Sequence, residues 1–396
     1  MVSTTTVPAN QAADKVLANE SKDSIFKVAI VGAGGINFGS PEGPWNNAQR
    51  IEQNLGQRLR VNALINPIPN ETNRVLDSKR DSNVSYAYNE TKMYTSMTEY
   101  LDYLSRHPED EPNAFVIGIP PDFHGSNKVG ADMELQIVRQ FPNAALFIEK
   151  PITSAAVEDA FDVVRQLEQH QAIISIGYMF RYLKVVEAAK KYIQDNNLNI
   201  VCTIARYNSS YIHNSKVFWW YVSKSGGPVV EQGTHFCDLS RYFGGDVDIS
   251  TVKVNRVLSS DPCGKLSALP IDEGSIPEHE RVPRFTAASW KYKSGAVGIL
   301  AHSIILQGTQ YDTCLELQAD GHYIRIVDLY GTPRLYIRSP ESDTERIVNF
   351  PDDDPYFSEF EAFIGVAEGK LPRERILSDF EDGTKTYELT KAITNN

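Results

Sequence analysis

A lysine that ends a buried strand is the first residue of this 396-residue chain whose position favours chemistry. The apolar stretch 144–148 predicts a strand, and Glu149, Lys150 and Pro151 follow it directly. Open α/β sheets bind ligands at the carboxyl ends of their strands, so we interpret Lys150 as an active-site lysine. A surface lysine before a proline turn is the alternative for an isolated Lys-Pro pair.

A histidine between two acids is the second candidate. The stretch that follows the turn at 226–228 predicts a helix. On that helix Glu231, His235 and Asp238 stand at i, i+4 and i+7 and share one face. A buried, hydrogen-bonded histidine in a capped helix is the alternative. In combination with Lys150, this row of acid, imidazole and acid indicates a catalytic site.

The elements that must position these residues begin with a strand at 26–31 that runs into a glycine-rich turn. In the dinucleotide-binding fingerprint, small residues let the backbone approach a pyrophosphate and the next helix presents its N–H groups. The match is imperfect because Asn37 takes the place of the third glycine, and an ordinary strand-to-helix turn is the alternative. The expected cofactor contacts of this turn are Gly32, Gly34, Gly35 and Ile36.

The second strand, 60–65, ends at Asn66, where the fingerprint has an acid that binds the adenosine ribose and repels a 2′-phosphate. An amide still binds the ribose but carries no charge, so NAD and NADP both remain open as cofactors. Arg74 is the nearest downstream cation for a phosphate, and a solvated helix residue is its alternative role.

A third strand, 114–119, ends in two prolines, which stop the strand and free backbone groups to flank a nicotinamide ribose. His124 is predicted to open a helix that runs to about residue 141, either as a cofactor contact or as a capping or packing residue. The cofactor contacts expected on this side are Ile119, Pro120, His124, Glu149 and Lys150.

Composition excludes several classes of function. The formal net charge of -12 argues against binding to nucleic acids or anionic membranes, which need basic patches. Four scattered cysteines lack metal-ligand spacing, which indicates reduced thiols in a cytoplasmic protein and no metal site. The polar segment 1–24 has no apolar core of a signal peptide and is expected to be a flexible tail.

Taken together, these motifs resemble the Gfo/Idh/MocA oxidoreductases, the relatives of glucose-fructose oxidoreductase and inositol dehydrogenase. The resemblance covers most of the chain from Phe26 onward. The stretches that carry it are the glycine loop, Ile119-Pro120 with His124, Glu149-Lys150-Pro151, 153–182 and 226–238.

The resemblance implies an α/β fold. An N-terminal Rossmann domain, 25–151, is expected to precede a C-terminal α/β domain, 152–396, built on a large open, mostly antiparallel sheet. A final helix at about 383–394 is expected to pack back toward the first domain, and the acidic stretches 340–346 and 352–354 are expected to be solvated connections. The resemblance also implies a homodimer or homotetramer.

The implied activity is NAD(P)-dependent interconversion of a hydroxyl and a carbonyl on a sugar, polyol or similar small molecule. The resemblance implies that His235 transfers the proton of the substrate hydroxyl. It also implies that Lys150 binds the oxygen of that hydroxyl and lowers its pKa. Glu231 replaces the usual aspartate and is expected to bind a substrate hydroxyl or orient His235. The expected substrate contacts are Arg181, Tyr211, His213, Glu231 and His235, with a structural salt bridge as the alternative for Arg181.

Two other functions remain open from the sequence. The same scaffold serves as a cofactor-binding regulatory or sensor protein without turnover, and the substitutions at Asn37 and Glu231 leave room for that role. Some relatives use bound NAD transiently to cleave glycosidic bonds. Retention of Lys150 and His235 favours the oxidoreductase.

Overall fold

Two β-sheets organise the computed structural model, which describes residues 24–41 and 43–395. The expected tail at 1–24 lies outside the described residues except for its last position. None of the described helices is long and apolar enough to span a membrane.

The first sheet has six parallel strands in the order β3-β2-β1-β4-β5-β6. This is the strand order of dinucleotide-binding folds, and it confirms the predicted Rossmann architecture. The strands are β1 (Phe26–Val31), β2 (Leu59–Ile65), β3 (Lys92–Tyr94), β4 (Ala114–Ile117), β5 (Ala145–Ile148) and β6 (Ile173–Ile176).

Helices cover this sheet and connect its strands. Strands β4 and β5 are buried along their whole length, as expected for the centre of a parallel sheet with both faces covered. The domain boundary expected at residue 151 stays a prediction, and the sheet itself continues to Ile176. The helices are α1 (Gly35–Phe38), α2 (Asn47–Leu55), α3 (Pro69–Arg80), α4 (Ser85–Tyr88), α5 (Met97–Arg106), α6 (Met133–Gln140) and α7 (Val157–Leu167).

The second sheet has eight strands in the order β14-β13-β12-β11-β7-β10-β9-β8. Only the β7–β10 pair of this sheet is parallel, so the mostly antiparallel sheet expected for the C-terminal half is confirmed. The strands are β7 (Ile200–Ser210), β8 (Val247–Val257), β9 (Phe285–Tyr292), β10 (Val297–Leu306), β11 (Asp312–Ala319), β12 (His322–Val327), β13 (Arg334–Ser339) and β14 (Ser342–Asn349).

Five more helices follow the first sheet along the chain. The helix Pro355–Ala367 packs on the first sheet, where the ring of Phe360 stacks on that of Phe147 with centroids 4.3 Å apart, and the last helix joins the two halves. In α12 the hydroxyl of Tyr387 donates to the carbonyl of Ala155 at 2.8 Å, while Thr386 accepts from Arg241 at 2.8 Å. The C-terminal helix therefore packs against both halves. The helices are α8 (Lys184–Asp195), α9 (Val222–Ser225), α10 (Thr234–Gly244), α11 (Pro355–Ala367) and α12 (Phe380–Asn395).

Two predicted elements are wrong. The helix expected to open at His124 begins only at Met133, because Gly125 and Gly130 take positive φ angles of 74° and 90° that a helix cannot contain. The acidic stretch 340–346 enters β14, which pairs with β13 at the edge of the sheet. Its charges suit an exposed edge strand, which is why they resembled a solvated connection.

Candidate active site

A cavity of about 520 Å³ lies between the two halves of the chain, at the carboxyl ends of strands in the first sheet. Ile36 follows β1, Lys150 follows β5 and Gly177 follows β6, and all three line the cavity. His235, from the first turn of α10, and Tyr207, from β7, line it from the opposite side. The cavity occupies the position at which open α/β sheets bind ligands.

Lys150 reaches across this cavity. Its Nζ donates a hydrogen bond of 3.1 Å to the backbone carbonyl oxygen of Glu231. That carbonyl belongs to a π-helical turn, Val229–Gly233, which leads into α10. Turns of this kind are rare and are found frequently at functional sites. The bond holds the ammonium group at a fixed place between the two halves.

His235 is buried in the cavity wall with a side chain held between two aromatic rings. The centroid of its ring lies 5.9 Å from that of Tyr178, edge-on, and 5.3 Å from that of Phe180. Burial and, after it, the positive charge of Lys150 hold the pKa of His235 well below its usual range. The imidazole is therefore neutral near pH 7. Its Nδ1 has no hydrogen-bond partner among the described residues.

The two acids expected beside His235 have other partners. The indole N–H of Trp219 donates to Oε2 of Glu231 at 3.0 Å. Asp238 accepts from Arg181 through both of its oxygens, at 2.6 and 2.8 Å, and is buried with it. The π-helical turn interrupts the regular helix on which the acid, imidazole and acid were aligned. Only Glu231 joins His235 at the cavity.

The glycine turn after β1 is fixed by buried amides. Gly32 has a φ of 97°, and a Cβ there would collide with the carbonyl oxygen of Gly118 at the end of β4. Asn37, in the place of the third glycine, donates to the carbonyls of Val31 and Gly32 at 2.9 and 2.8 Å. The asparagine that stands in place of the third glycine therefore stabilises the turn through these two hydrogen bonds.

A chain of hydrogen bonds joins this turn to the Glu-Lys-Pro segment. The side-chain amide of Asn47 donates to Oδ1 of Asn37 at 3.2 Å and to Oε1 of Glu149 at 2.9 Å. Burial raises the pKa of Glu149, and the bond from Asn47 and the charge of Lys150 oppose this shift. Glu149 thus positions Lys150 relative to the glycine turn.

The glycine turn separates the large cavity from a smaller one of about 200 Å³. Ile36 lines the large cavity, whereas Gly34, Gly35 and Arg74 line the small one, which we call the adenosine-side pocket. Gly34 has open space where a Cβ would point. A dinucleotide that crosses this turn by its pyrophosphate would place one end in each cavity, so these residues fit the cofactor.

Asn66 lies beside the turn and is engaged by the protein. Its Oδ1 faces the N–H of Ala33 at 3.4 Å, and its Nδ2 donates to the carbonyl of Ile68 at 3.0 Å and to the hydroxyl of Thr72 at 3.3 Å. The residue that was expected to bind the ribose therefore also anchors the start of α3.

Three of the cofactor contacts expected after the third strand lie apart from the large cavity. Ile119 packs beside Gly32, Pro120 is exposed, and His124 is fully buried. Burial lowers the pKa of His124 to about 4, and the backbone of Ile152 and Ile119 opposes this shift only in part. A neutral, enclosed His124 fits its packing alternative.

Three expected substrate contacts lie outside the cavity. Arg181 is 3% exposed and, besides Asp238, contacts Asp382, which fits the structural salt bridge that was its alternative role. The hydroxyl of Tyr211 accepts hydrogen bonds in a separate apolar cluster under the 259–283 loop. His213 is exposed on the surface. The fold does not bring these three residues to the cavity, and their contact with a substrate stays a prediction.

Several residues that line the cavity were not predicted from the sequence as site residues. Trp45 comes from the insertion after the glycine turn, and Asp328 comes from the β12–β13 turn. An acid followed by glycine and proline at 328–333 indicates a turn, but no local pattern indicates that this turn reaches the cavity. A group of tyrosines also lines the cavity: Tyr207, Tyr311, Tyr330 and Tyr356.

Within residues 24–41 and 43–395, no group of three or more histidine, cysteine, aspartate or glutamate side chains is arranged to hold a metal ion.

Comparisons with known proteins agree with this architecture. The Gfo/Idh/MocA model, described as an oxidoreductase family with an NAD-binding Rossmann fold, matches residues 26–178. A model of an oxidoreductase C-terminal domain matches residues 181–322. An uncharacterized protein of Schizosaccharomyces pombe is 74% identical over 378 residues, which are 96% of this chain and 98% of the relative.

Two solved structures show the same fold at low sequence identity. A dehydrogenase from Chromobacterium violaceum has a TM-score of 0.68 at 16% identity, covering 94% of this chain and 95% of its own. The WlbA dehydrogenase from Bordetella pertussis, in complex with NADH and UDP-GlcNAcA, has a TM-score of 0.65 at 13% identity, covering 95% of this chain and 96% of its own.

Proposed function

This chain belongs to the Gfo/Idh/MocA oxidoreductase family, whose first domain is an NAD-binding Rossmann fold, and on that premise we propose that it interconverts a hydroxyl and a carbonyl on a sugar, polyol or similar small molecule. The proposed cofactor is NAD or NADP. The observation that carries the proposal is the meeting of Lys150 and His235 in one cavity beside the glycine turn.

We assign proton transfer to His235. Alcohol oxidation requires a base for the hydroxyl proton, and a neutral imidazole supplies one. Because its pKa is held well below the usual range, His235 is ready to accept that proton near pH 7. In the reverse direction the imidazolium returns the proton to the reduced oxygen. The rings of Tyr178 and Phe180 restrict the orientation of the imidazole during both steps.

We assign electrostatic stabilisation of the reacting oxygen to Lys150. An ammonium group has three N–H donors, of which one is directed at the carbonyl of Glu231. The remaining donors are left for the substrate oxygen, where a positive charge stabilises a developing alkoxide. The nicotinamide, when bound, supplies the hydride chemistry at C4.

We assign to Glu231 the binding of a second substrate hydroxyl. Its Oε2 accepts a hydrogen bond from Trp219, which restricts the carboxylate, and Oε1 is left to accept a hydrogen bond from a substrate hydroxyl. Glu231 is thus a substrate-binding residue and not the group that orients His235.

The test is a titration of the purified protein with NADH and NADPH, followed by fluorescence, and then turnover assays with sugars, polyols and carbonyl compounds. The proposal expects tight binding of at least one cofactor and turnover of some member of the panel. Failure to bind either cofactor contradicts the proposal at its first step. Tight binding with no turnover on any member favours the sensor function.

We also propose a homo-oligomer of two or four chains in the cytoplasm. This proposal rests on the family resemblance, and the second sheet leaves the side chains of Val201, Ile305 and Ile347 between 51% and 60% exposed. Light scattering after size-exclusion chromatography measures the mass directly, and a mass of about 44.3 kDa for the eluted species contradicts the proposal.

A further inference from the structure

Acidic side chains outnumber basic ones in the lining of the large cavity. Among the described lining residues, Glu149, Glu231 and Asp328 are acids, and Lys150 is the only side chain that carries a full positive charge, since His235 is neutral. Recognition of a phosphate or carboxylate on a substrate normally uses arginine or several cations. The described lining offers no arginine for that purpose.

Two of these acids come from different elements of the second half of the chain. Glu231 lies beside Lys150, while Asp328 lies in the β12–β13 turn at the rim of the second sheet. The Oδ2 atom of Asp328 accepts from the N–H of Thr332 at 2.9 Å, and its φ of 59° fits this tight turn. Its carboxylate is therefore held in place at the cavity and is not a freely moving surface charge.

The neutral polar groups of the cavity suit hydroxyl donors. The Oε1 atom of Gln232 is buried and has no hydrogen-bond partner among the described residues. A buried acceptor of this kind costs free energy until a donor reaches it. A hydroxyl group supplies such a donor without introducing charge, and so it also suits the carboxylates of Glu231 and Asp328.

The remaining wall is aromatic and stays uncharged. Burial, and after it the neighbouring Tyr356 and Glu231, hold the pKa of Tyr330 well above its usual range. Burial likewise raises that of Tyr207. The rings of Tyr207 and Tyr330 lie 5.6 Å apart between centroids, with Trp45 also at the cavity. Aromatic faces combine apolar contact with a polar rim, as a ring that carries hydroxyls requires.

We propose that the substrate is an uncharged polyhydroxy compound, a free aldose or cyclic polyol, and that the cavity discriminates against phosphorylated sugars, sugar acids and nucleotide sugars. The inference rests on the proposed function, because it names the substrate class of the same site. It separates this chain from the fold neighbour that was solved with UDP-GlcNAcA.

Matched pairs of substrates test the charge preference. Glucose is compared with glucose 6-phosphate and with glucuronate, galactose with UDP-galactose, and myo-inositol with its 1-phosphate, each with NAD and NADP. A kcat/KM at least tenfold higher for the uncharged member of a pair supports the inference. An equal or higher value for the anionic member overturns it, although the proposed oxidoreductase function then survives.

If the protein turns over none of these compounds, measurements of binding test the charge preference. Calorimetric titration of the same pairs into the cofactor-saturated protein supports the inference if uncharged members bind and their anionic partners bind at least tenfold more weakly. Equal binding of both members, or binding of no uncharged member, overturns it. Absence of turnover counts against the proposed function alone.

The variant Asp328→Asn isolates the contribution of charge. Asparagine tolerates a positive φ and keeps an oxygen to accept from Thr332, so the turn is preserved. Removal of this charge should lower the preference for the uncharged member by roughly fivefold, through weaker repulsion of the anionic partner. The control is Asp343→Asn, an acid on β14 outside the cavity, which should leave the ratio unchanged. An unchanged ratio in Asp328→Asn overturns the inference.

Discussion

The ammonium group of Lys150 donates a hydrogen bond of 3.1 Å to the backbone carbonyl oxygen of Glu231. The two residues are 81 positions apart in the chain. Lys150 follows β5 of the first sheet, whereas Glu231 lies in the π-helical turn before α10. A backbone carbonyl is a partner that no side-chain substitution can remove. The bond therefore ties the position of Lys150 to the path of the chain around His235.

Lys150→Met should lower kcat by about 10²- to 10³-fold, because it keeps the apolar stem and removes the charge that stabilises the reacting oxygen. Cofactor affinity should change less than twofold. Steady-state kinetics with a fluorescence titration measures both. Lys224→Met, at an exposed lysine outside the cavity, is the matched control. Full activity in Lys150→Met would remove Lys150 from the mechanism.

His235→Asn should lower kcat by about 10²- to 10⁴-fold, the contribution expected of a proton-transfer group. The control is His213→Asn, at an exposed histidine outside the cavity, which should keep its activity. A loss of the same size in both variants, or in neither, contradicts the assignment.

The pH profile provides a separate measure of His235. A base works in its unprotonated form, and burial and the charge of Lys150 keep His235 unprotonated to well below pH 6.5. The kcat/KM of alcohol oxidation should therefore stay level as pH falls from 8 to about 6.5 and decline only at lower pH. A decline centred above pH 7 would show that another group is the base.

Trp219→Phe should raise KM by about fivefold and change kcat by less, because it removes the N–H that holds Glu231 and keeps most of the ring. The matched control is Trp220→Phe, which removes an indole N–H that donates to the carbonyl of Asn214, away from the cavity. The control should lose thermal stability without a change in KM. An equal rise of KM in both variants would point to a general packing defect.

Glu134→Gln should flatten the dependence of stability on pH. Burial raises the pKa of Glu134 to about 8, against 4.5 for an ordinary glutamate, although the N–H of Gly125 donates to it at 2.7 Å. The protonated carboxyl therefore stabilises the fold fully below about pH 4.5, and this stability is lost as pH rises through about 8.

Thermal melts from pH 5 to pH 9 measure this effect. The native protein should lose more of its Tm over that range than Glu134→Gln, whose side chain does not titrate. Parallel curves for the two proteins would show that Glu134 is ionised in the fold at neutral pH.

Local pattern predicted the strands of the first half of this protein. A period-two or continuous apolar stretch that ends in glycine or proline specifies a strand and its end, and Lys150, Gly32 and Asn66 each follow such a strand. Parallel strands align their carboxyl ends, so the sequence also placed these residues along one edge of the sheet. The family resemblance, carried by the Glu149-Lys150-Pro151 and 226–238 stretches, supplied the assignment of the C-terminal half.

The tertiary structure decided which polar groups pair, because pairing depends on contacts between residues distant in the chain. Arg181 pairs with Asp238, and the indole N–H of Trp219 donates to Glu231, which lies in a π-helical turn. Neither of these contacts is indicated by a local pattern in the sequence. Asp328 reaches the cavity only because β12 pairs between β11 and β13 in the second sheet, an arrangement fixed by burial of the whole sheet.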